Sequence, residues 1–144
     1  MIDIKKIVIA GAGLMGTSMA QIFGKHGYDV VIYDLVPKAL ETSKNLIKIN
    51  QDEQVKMGEI TAEESNKIKA AMSHTTDKAI FKSCDMVVES IVEKLEIKQK
   101  FWEEISRIVP EKAILATNTS GLSITAIAEG IYKPERFCGM HWFN

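Results

Sequence analysis

Two groups of residues in this 144-residue chain have the types and spacing for chemistry. The first is Gly11-Ala12-Gly13-Leu14-Met15-Gly16, a G-x-G-x-x-G run that follows the β-branched segment Lys6 to Ala10 and opens a helical apolar pattern. In that context Gly11 permits a tight turn, Gly13 lets backbone approach a pyrophosphate, and Gly16 brings helix against sheet. Free N–H groups at the helix start, aided by its dipole, then bind phosphate. Asp34 stands 18 residues beyond Gly16, at the end of a second apolar run. An acid there accepts hydrogen bonds from ribose hydroxyls and repels a 2′-phosphate. No Arg follows it directly, so NAD is favoured over NADP. The plainer alternative is a bare turn, with Asp34 capping the helix that opens at Pro37. The second group is the pair Ser120 and His141, inside Thr117-Asn118-Thr119-Ser120-Gly121-Leu122 and Gly139-Met140-His141-Trp142-Phe143-Asn144. Each segment ends a late β run. Neighbouring parallel strands lie about 4.8 Å apart, so both ends open on one crevice, where a Ser and a His can meet beside a nicotinamide.

The elements that must position these residues alternate. Lys6 to Ala10, Asp29 to Tyr33, Ser73 to Thr76, Asp85 to Val92, Ala113 to Thr117 and Phe137 to Trp142 read as strands. Between them, Met15, Met19, Ile22 and Phe23 recur at helical spacing over Leu14 to Lys25, closed by Gly27. Pro37 suits a first helical turn that Ala39, Leu40, Leu46, Ile47 and Ile49 continue. Thr61 to Glu64 resembles a capping box, in a polar stretch from Gln51 to Ala71. Leu95 to Ile108 carries a helical stripe ended by Pro110, and a short helix lies near Ser123 to Glu129. Such alternation predicts right-handed crossovers and an α/β fold: a Rossmann-type, doubly wound, mainly parallel sheet with helices on both faces. Residues 1–144 read as one dinucleotide-binding domain, without internal repeat or linker.

Composition narrows the function classes. Eighteen Lys and Arg against nineteen Asp and Glu leave a net charge of −1, no excess for a nucleic-acid backbone. The uncharged stretch from Ile7 to Gly24 is interrupted by Gly, Thr, Ser and Gln, which argues against a membrane span. Ala10-Gly11-Ala12 imitates a signal-peptide cleavage site, but the apolar core before it is too short. Cys84 and Cys138 have no partner pattern for zinc or a disulfide framework, and no metal site is expected. A soluble, cytoplasmic protein with reduced cysteines is the expectation.

Over essentially its whole length the sequence resembles the NAD-binding domain of the 3-hydroxyacyl-CoA dehydrogenase family. The resemblance rests on Gly11 to Gly16, on Val87-Val88-Glu89-Ser90-Ile91-Val92-Glu93 with Lys98, on Asn118 to Leu122, and on Gly139 to Asn144. One departure is Gly121, where the family commonly carries a second Ser. The resemblance implies oxidation of an (S)-3-hydroxyacyl-CoA to a 3-oxoacyl-CoA with NAD, or the reverse. It makes His141 the general base, a role suited to an imidazole, whose ordinary pKa is about 6.5. It has Ser120 hydrogen-bond the reacting oxygen, Glu93 and Lys98 contact the cofactor, and Asn118 lie on the nicotinamide side. Asn144 would lie close to the site, and Lys56 in the region that binds the nucleotide end of CoA.

Plainer readings stand beside these. Ser120 could cap the helix near Ser123, and Glu93 to Lys100 could be the solvated start of a helix. Asn118-Thr119-Ser120 spells a glycosylation acceptor, but in a chain with no secretory signal. His26 and His74 read as packed or solvated. Two other functions also fit a dinucleotide domain: a NAD-binding module without catalysis, or a dehydrogenase of a free hydroxy acid. The family's acid that orients the histidine, and the helical domain that covers the substrate and forms the homodimer, would both lie beyond Asn144. Weak turnover by this chain alone is therefore expected.

Overall fold

In the computed structural model, residues 3–143 are described, and Asn144 lies outside them. The strands are β1 (Lys6–Ala10), β2 (Asp29–Tyr33), β3 (Met72–Thr75), β4 (Met86–Glu89), β5 (Ile114–Thr117) and β6 (Phe137–Gly139). The helices are α1 (Leu14–Lys25), α2 (Pro37–Lys56), α3 (Ala62–Ala70), α4 (Leu95–Ile108) and α5 (Ile124–Ile127), with 3-10 turns at Lys78–Ser83 and Pro134–Arg136. The sheet runs β3-β2-β1-β4-β5-β6 and every neighbouring pair is parallel. The fold is thus the Rossmann-type doubly wound sheet expected, and wholly parallel. Its order reverses between β1 and β4, and in such sheets the crevice outside the strands' carboxyl ends at that point is where ligands sit.

Alternation along each strand splits the core in two. Ile7, Ile9, Val30, Ile32 and Val88 pack against Met19 and Ala20 of α1 and Leu40 and Ile47 of α2. Val8, Ala10, Val31, Tyr33, Val87 and Leu115 pack on the other face against Phe81, Trp102 and Ile105. Strands buried on both faces read as continuous apolar runs, as these do. The Asp85 carboxylate fastens the start of β1, accepting from the Lys5 and Lys6 amides at 2.9 and 2.8 Å. The Thr61–Glu64 capping box opens α3, with bonds of 2.7 and 3.1 Å.

Three elements differ from the sequence expectation. β4 ends at Glu89 rather than Val92, because the Ile91 amide turns back to Glu89 Oε1 at 2.8 Å. β6 ends at Gly139, after which the chain is held by the Trp142 amide donating to Asn118 Oδ1 at 2.7 Å. α2 reaches Lys56, into the polar stretch, because Gln51 is buried there and donates to Gln21 at 3.0 Å. Between α1, α2 and β3 runs a polar seam. Thr17 Oγ1 lies 2.9 Å from Ser43 Oγ, which lies 3.1 Å from His74 Nε2.

Candidate active site

The glycine run occupies the turn from β1 into α1. Gly11 has φ +112°, and a β-carbon there would sit 2.4 Å from the Ser90 carbonyl oxygen. A β-carbon on Gly16 would sit 2.0 Å from the Gly11 carbonyl oxygen, so both positions are closed to larger residues. Gly13 differs: its φ is an ordinary −71°, and a β-carbon would meet nothing within 4 Å. The empty space lies in front of the α1 start, whose first turn has no capping side chain and no acid. An uncapped helix start facing open space suits a diphosphate.

Asp34 joins this loop to the end of β2. Its Oδ2 accepts from the Ala12 amide and its Oδ1 from the Val36 amide, each at 2.9 Å. Each carboxylate oxygen retains a lone pair for a ribose hydroxyl. The loop and Asp34 open into a crevice of about 590 Å³ whose walls include Leu35, Val36, Ile91, Val92, Ile97 and Phe101. An apolar slot of this kind accepts a flat purine ring. Uncapped helix, open Gly13, acid and apolar slot together fit a dinucleotide.

The second half of the site lies at the ends of β4, β5 and β6. Thr117 pairs with Gly139, and the Met140 amide continues the ladder to the Thr117 carbonyl at 2.9 Å. Asn118 then bridges the strands: its amide donates to the Glu89 carbonyl at 2.8 Å and its Oδ1 accepts from Trp142. Ser120 and His141 follow on these two pinned strand ends, both exposed. The His141 ring lies 4.3 Å from the Phe143 ring, centroid to centroid. Thr119 donates to Glu93 Oε1 and accepts from the Leu122 amide at 3.1 Å, closing the Ser120 loop. A β-carbon on Gly121 would meet nothing within 4 Å, so the departure at this position leaves the loop's packing intact.

Lys98 lies beneath this wall. It is 1% exposed, with Nζ 2.5 Å from Glu89 Oε1 and 3.2 Å from Glu93 Oε2. Of its two carboxylate partners only Glu93 reaches the surface, and its donors are engaged below it. Burial alone would push the Glu93 carboxyl up; bonds from Thr119 and Lys98 outweigh that and hold it below the usual value. Glu89, read from sequence only as part of a strand and motif, is wholly buried and gathers donors from Lys98, Ile91, Trp102 and Thr117. Its sequence signal was a charge closing an apolar strand. Lys56 is not brought to this site. It stands at the far end of α2 from Val36, about 30 Å by helical rise, beside a cleft with Asp52 and Lys69. Among the described residues, no group of three or more His, Cys, Asp or Glu could hold a metal, and no helix is long and apolar enough to cross a membrane.

Comparison with known proteins agrees with this geometry. Residues 6–144 match the family described as 3-hydroxyacyl-CoA dehydrogenase, NAD binding domain. The chain is 34% identical over its whole length to 3-hydroxyadipyl-CoA dehydrogenase of Escherichia coli K12, and covers 30% of that protein. It is 36% identical over 96% of its length to a probable 3-hydroxybutyryl-CoA dehydrogenase of Deinococcus radiodurans, covering 50% of it. The crystal structure of 3-hydroxybutyryl-CoA dehydrogenase from Escherichia coli K12 superposes with a TM-score of 0.95 at 33% identity, over 99% of this chain and 30% of that one. The chain therefore spans 30% to 50% of the length of these relatives. With residues 6–144 matching its model, the chain belongs to the 3-hydroxyacyl-CoA dehydrogenase family as its NAD-binding domain.

Proposed function

We propose that the protein oxidises (S)-3-hydroxyacyl-CoA to 3-oxoacyl-CoA, or reduces it back, with His141 as general base and Ser120 as the residue that holds the reacting oxygen. Bound NAD supplies the hydride acceptor. His141 takes the hydroxyl proton, and Ser120 Oγ donates a hydrogen bond that keeps the oxygen in line with the imidazole. Glu93 and Asn118 shape the nicotinamide side, and Lys98 acts there through Glu93. Asn144 belongs to the same site, and Lys56 to the CoA side. The observation that supports the reading is the Asn118–Trp142 bond, which ties the strand end carrying Ser120 to the segment carrying His141.

The test is NADH oxidation with acetoacetyl-CoA. His141→Ala should lower kcat by about 100-fold or more, the usual contribution of a general base. Ser120→Ala should lower it with NADH affinity unchanged. If the unaltered protein binds NADH and never turns over, even when extended by the family's C-terminal domain, a non-catalytic module is the better reading.

The chain alone should turn over weakly. Among the described residues, His141 contacts Phe143 and no carboxylate bonds its ring. A general base needs such a partner to fix tautomer and rotamer. Comparing its rate with that of a chain extended by the family's C-terminal domain checks this; equal rates would count against it. Cytoplasmic location and a homodimer built through that further domain complete the proposal.

A further inference from the structure

The Glu89 cluster is more than core satisfaction, because it is chained to the loop that carries Ser120. Four donors converge on one buried carboxylate: Lys98 Nζ at 2.5 Å and the Ile91 amide at 2.8 Å on Oε1, Thr117 Oγ1 at 2.7 Å and Trp102 Nε1 at 3.3 Å on Oε2. Lys98 is shared, its second carboxylate being Glu93 at 3.2 Å. The two acids differ in freedom. Glu89 is fully buried and cannot move, whereas the Glu93 side chain is 43% exposed and can. Glu93 in turn accepts from Thr119 Oγ1, so the residue before Ser120 is tied to it.

We propose that Glu89 is a positioning residue for Ser120. It holds half of the Lys98 charge, and so sets how far out Glu93 stands and where the Thr119–Gly121 loop rests. Remove the charge of Glu89 and the buried ammonium has one anion left. Glu93 then moves inward to meet it, because an unpaired buried cation is strongly disfavoured. Thr119 loses its acceptor, and Ser120 leaves its register. An error of about 1 Å in such a group is enough to lower turnover by roughly 100-fold.

This rests on the reading of Ser120 as a substrate contact, so the experiment has a readout that needs no turnover. The Leu122 amide donates to Thr119 Oγ1, and its hydrogen exchange reports whether the loop is closed. Glu89→Gln should raise that exchange tenfold or more, and lower kcat with acetoacetyl-CoA. Trp102→Phe is the comparison: it also removes one donor from Glu89 and lowers stability, but leaves Lys98 shared. Its Leu122 exchange should stay within twofold of the unaltered protein once matched for Tm. Equal Leu122 exchange in the two variants at matched Tm would overturn the proposal, since Glu89 would then act only through global stability. If Glu89→Gln does not fold, Glu89→Asp replaces it. The shorter side chain keeps the charge but draws Lys98 away from Glu93, and the same loosening is expected. An unchanged Leu122 exchange there would equally overturn the proposal. Absence of turnover even when the chain is extended by the family's C-terminal domain, with the exchange pattern as expected, would count against the function proposed above and leave the positioning intact.

Discussion

At the residue scale, the glycines of the phosphate loop separate into two kinds. Gly16→Ala drives a β-carbon into the Gly11 carbonyl and should lower Tm by several degrees or more, since backbone there cannot give way. Gly13→Ala meets open space at an ordinary φ, so Tm should hold or rise slightly. Its NADH affinity should nevertheless fall tenfold or more, because that space is where the diphosphate approaches; calorimetric titration beside a thermal melt measures both. The two thiols divide as sharply. Burial pushes the Cys84 thiol up to about 12, while Cys138 is exposed. One thiol should react with a disulfide reagent in the native protein, and two after denaturation. The glycines and Asp34 were legible in the sequence because what they satisfy is local: a turn, a helix start, a strand end. Glu89 was not, because its donors come from 2, 9, 13 and 28 positions away and meet only once β5 and α4 have packed against β4.

At the scale of elements, the seam between α1, α2 and β3 links pH to stability. Burial lowers the His74 pKa, Lys44 lowers it further, and Glu41 opposes them. The folded protein therefore holds His74 neutral more firmly than the unfolded chain does. Above about pH 6.5 both states are neutral at this site and it contributes no pH dependence. As pH falls below that value the unfolded chain binds the proton first, so stability declines. The decline is complete once pH is below the lower, folded pKa. Urea midpoints between pH 7 and pH 5 should show this slope, and His74→Gln should flatten it. Element types and order were readable from periodicity, whereas ends were not. β4 and β6 stop short of their apolar runs where a side-chain acceptor, Glu89 or Asn118, takes a backbone amide two or three residues further on. Nothing in a hydrophobic pattern announces such a bond.

At the scale of the whole molecule, the strand order shapes how the fold is reached. β1 pairs with β2, the next strand in the chain, but its other edge waits for β4, which follows two helices, a third strand and a 3-10 turn. Parallel sheets built from such distant partners form slowly, and open apolar edges invite association meanwhile. A fragment ending at Ile80 should lack a cooperative melt and scatter light at micromolar concentration. A soluble fragment with a sharp transition would contradict this. The same order bears on the cofactor loop. Gly11 lies directly over the Ser90 carbonyl, and the Ser90 amide donates to Ala10 at 2.8 Å. The glycine loop and Asp34 are both synthesised early, yet the floor under the loop arrives only with β4. A chain still on the ribosome cannot take up NAD until Ser90 has cleared the exit tunnel, and the cofactor can stabilise the finished sheet without having helped to start it.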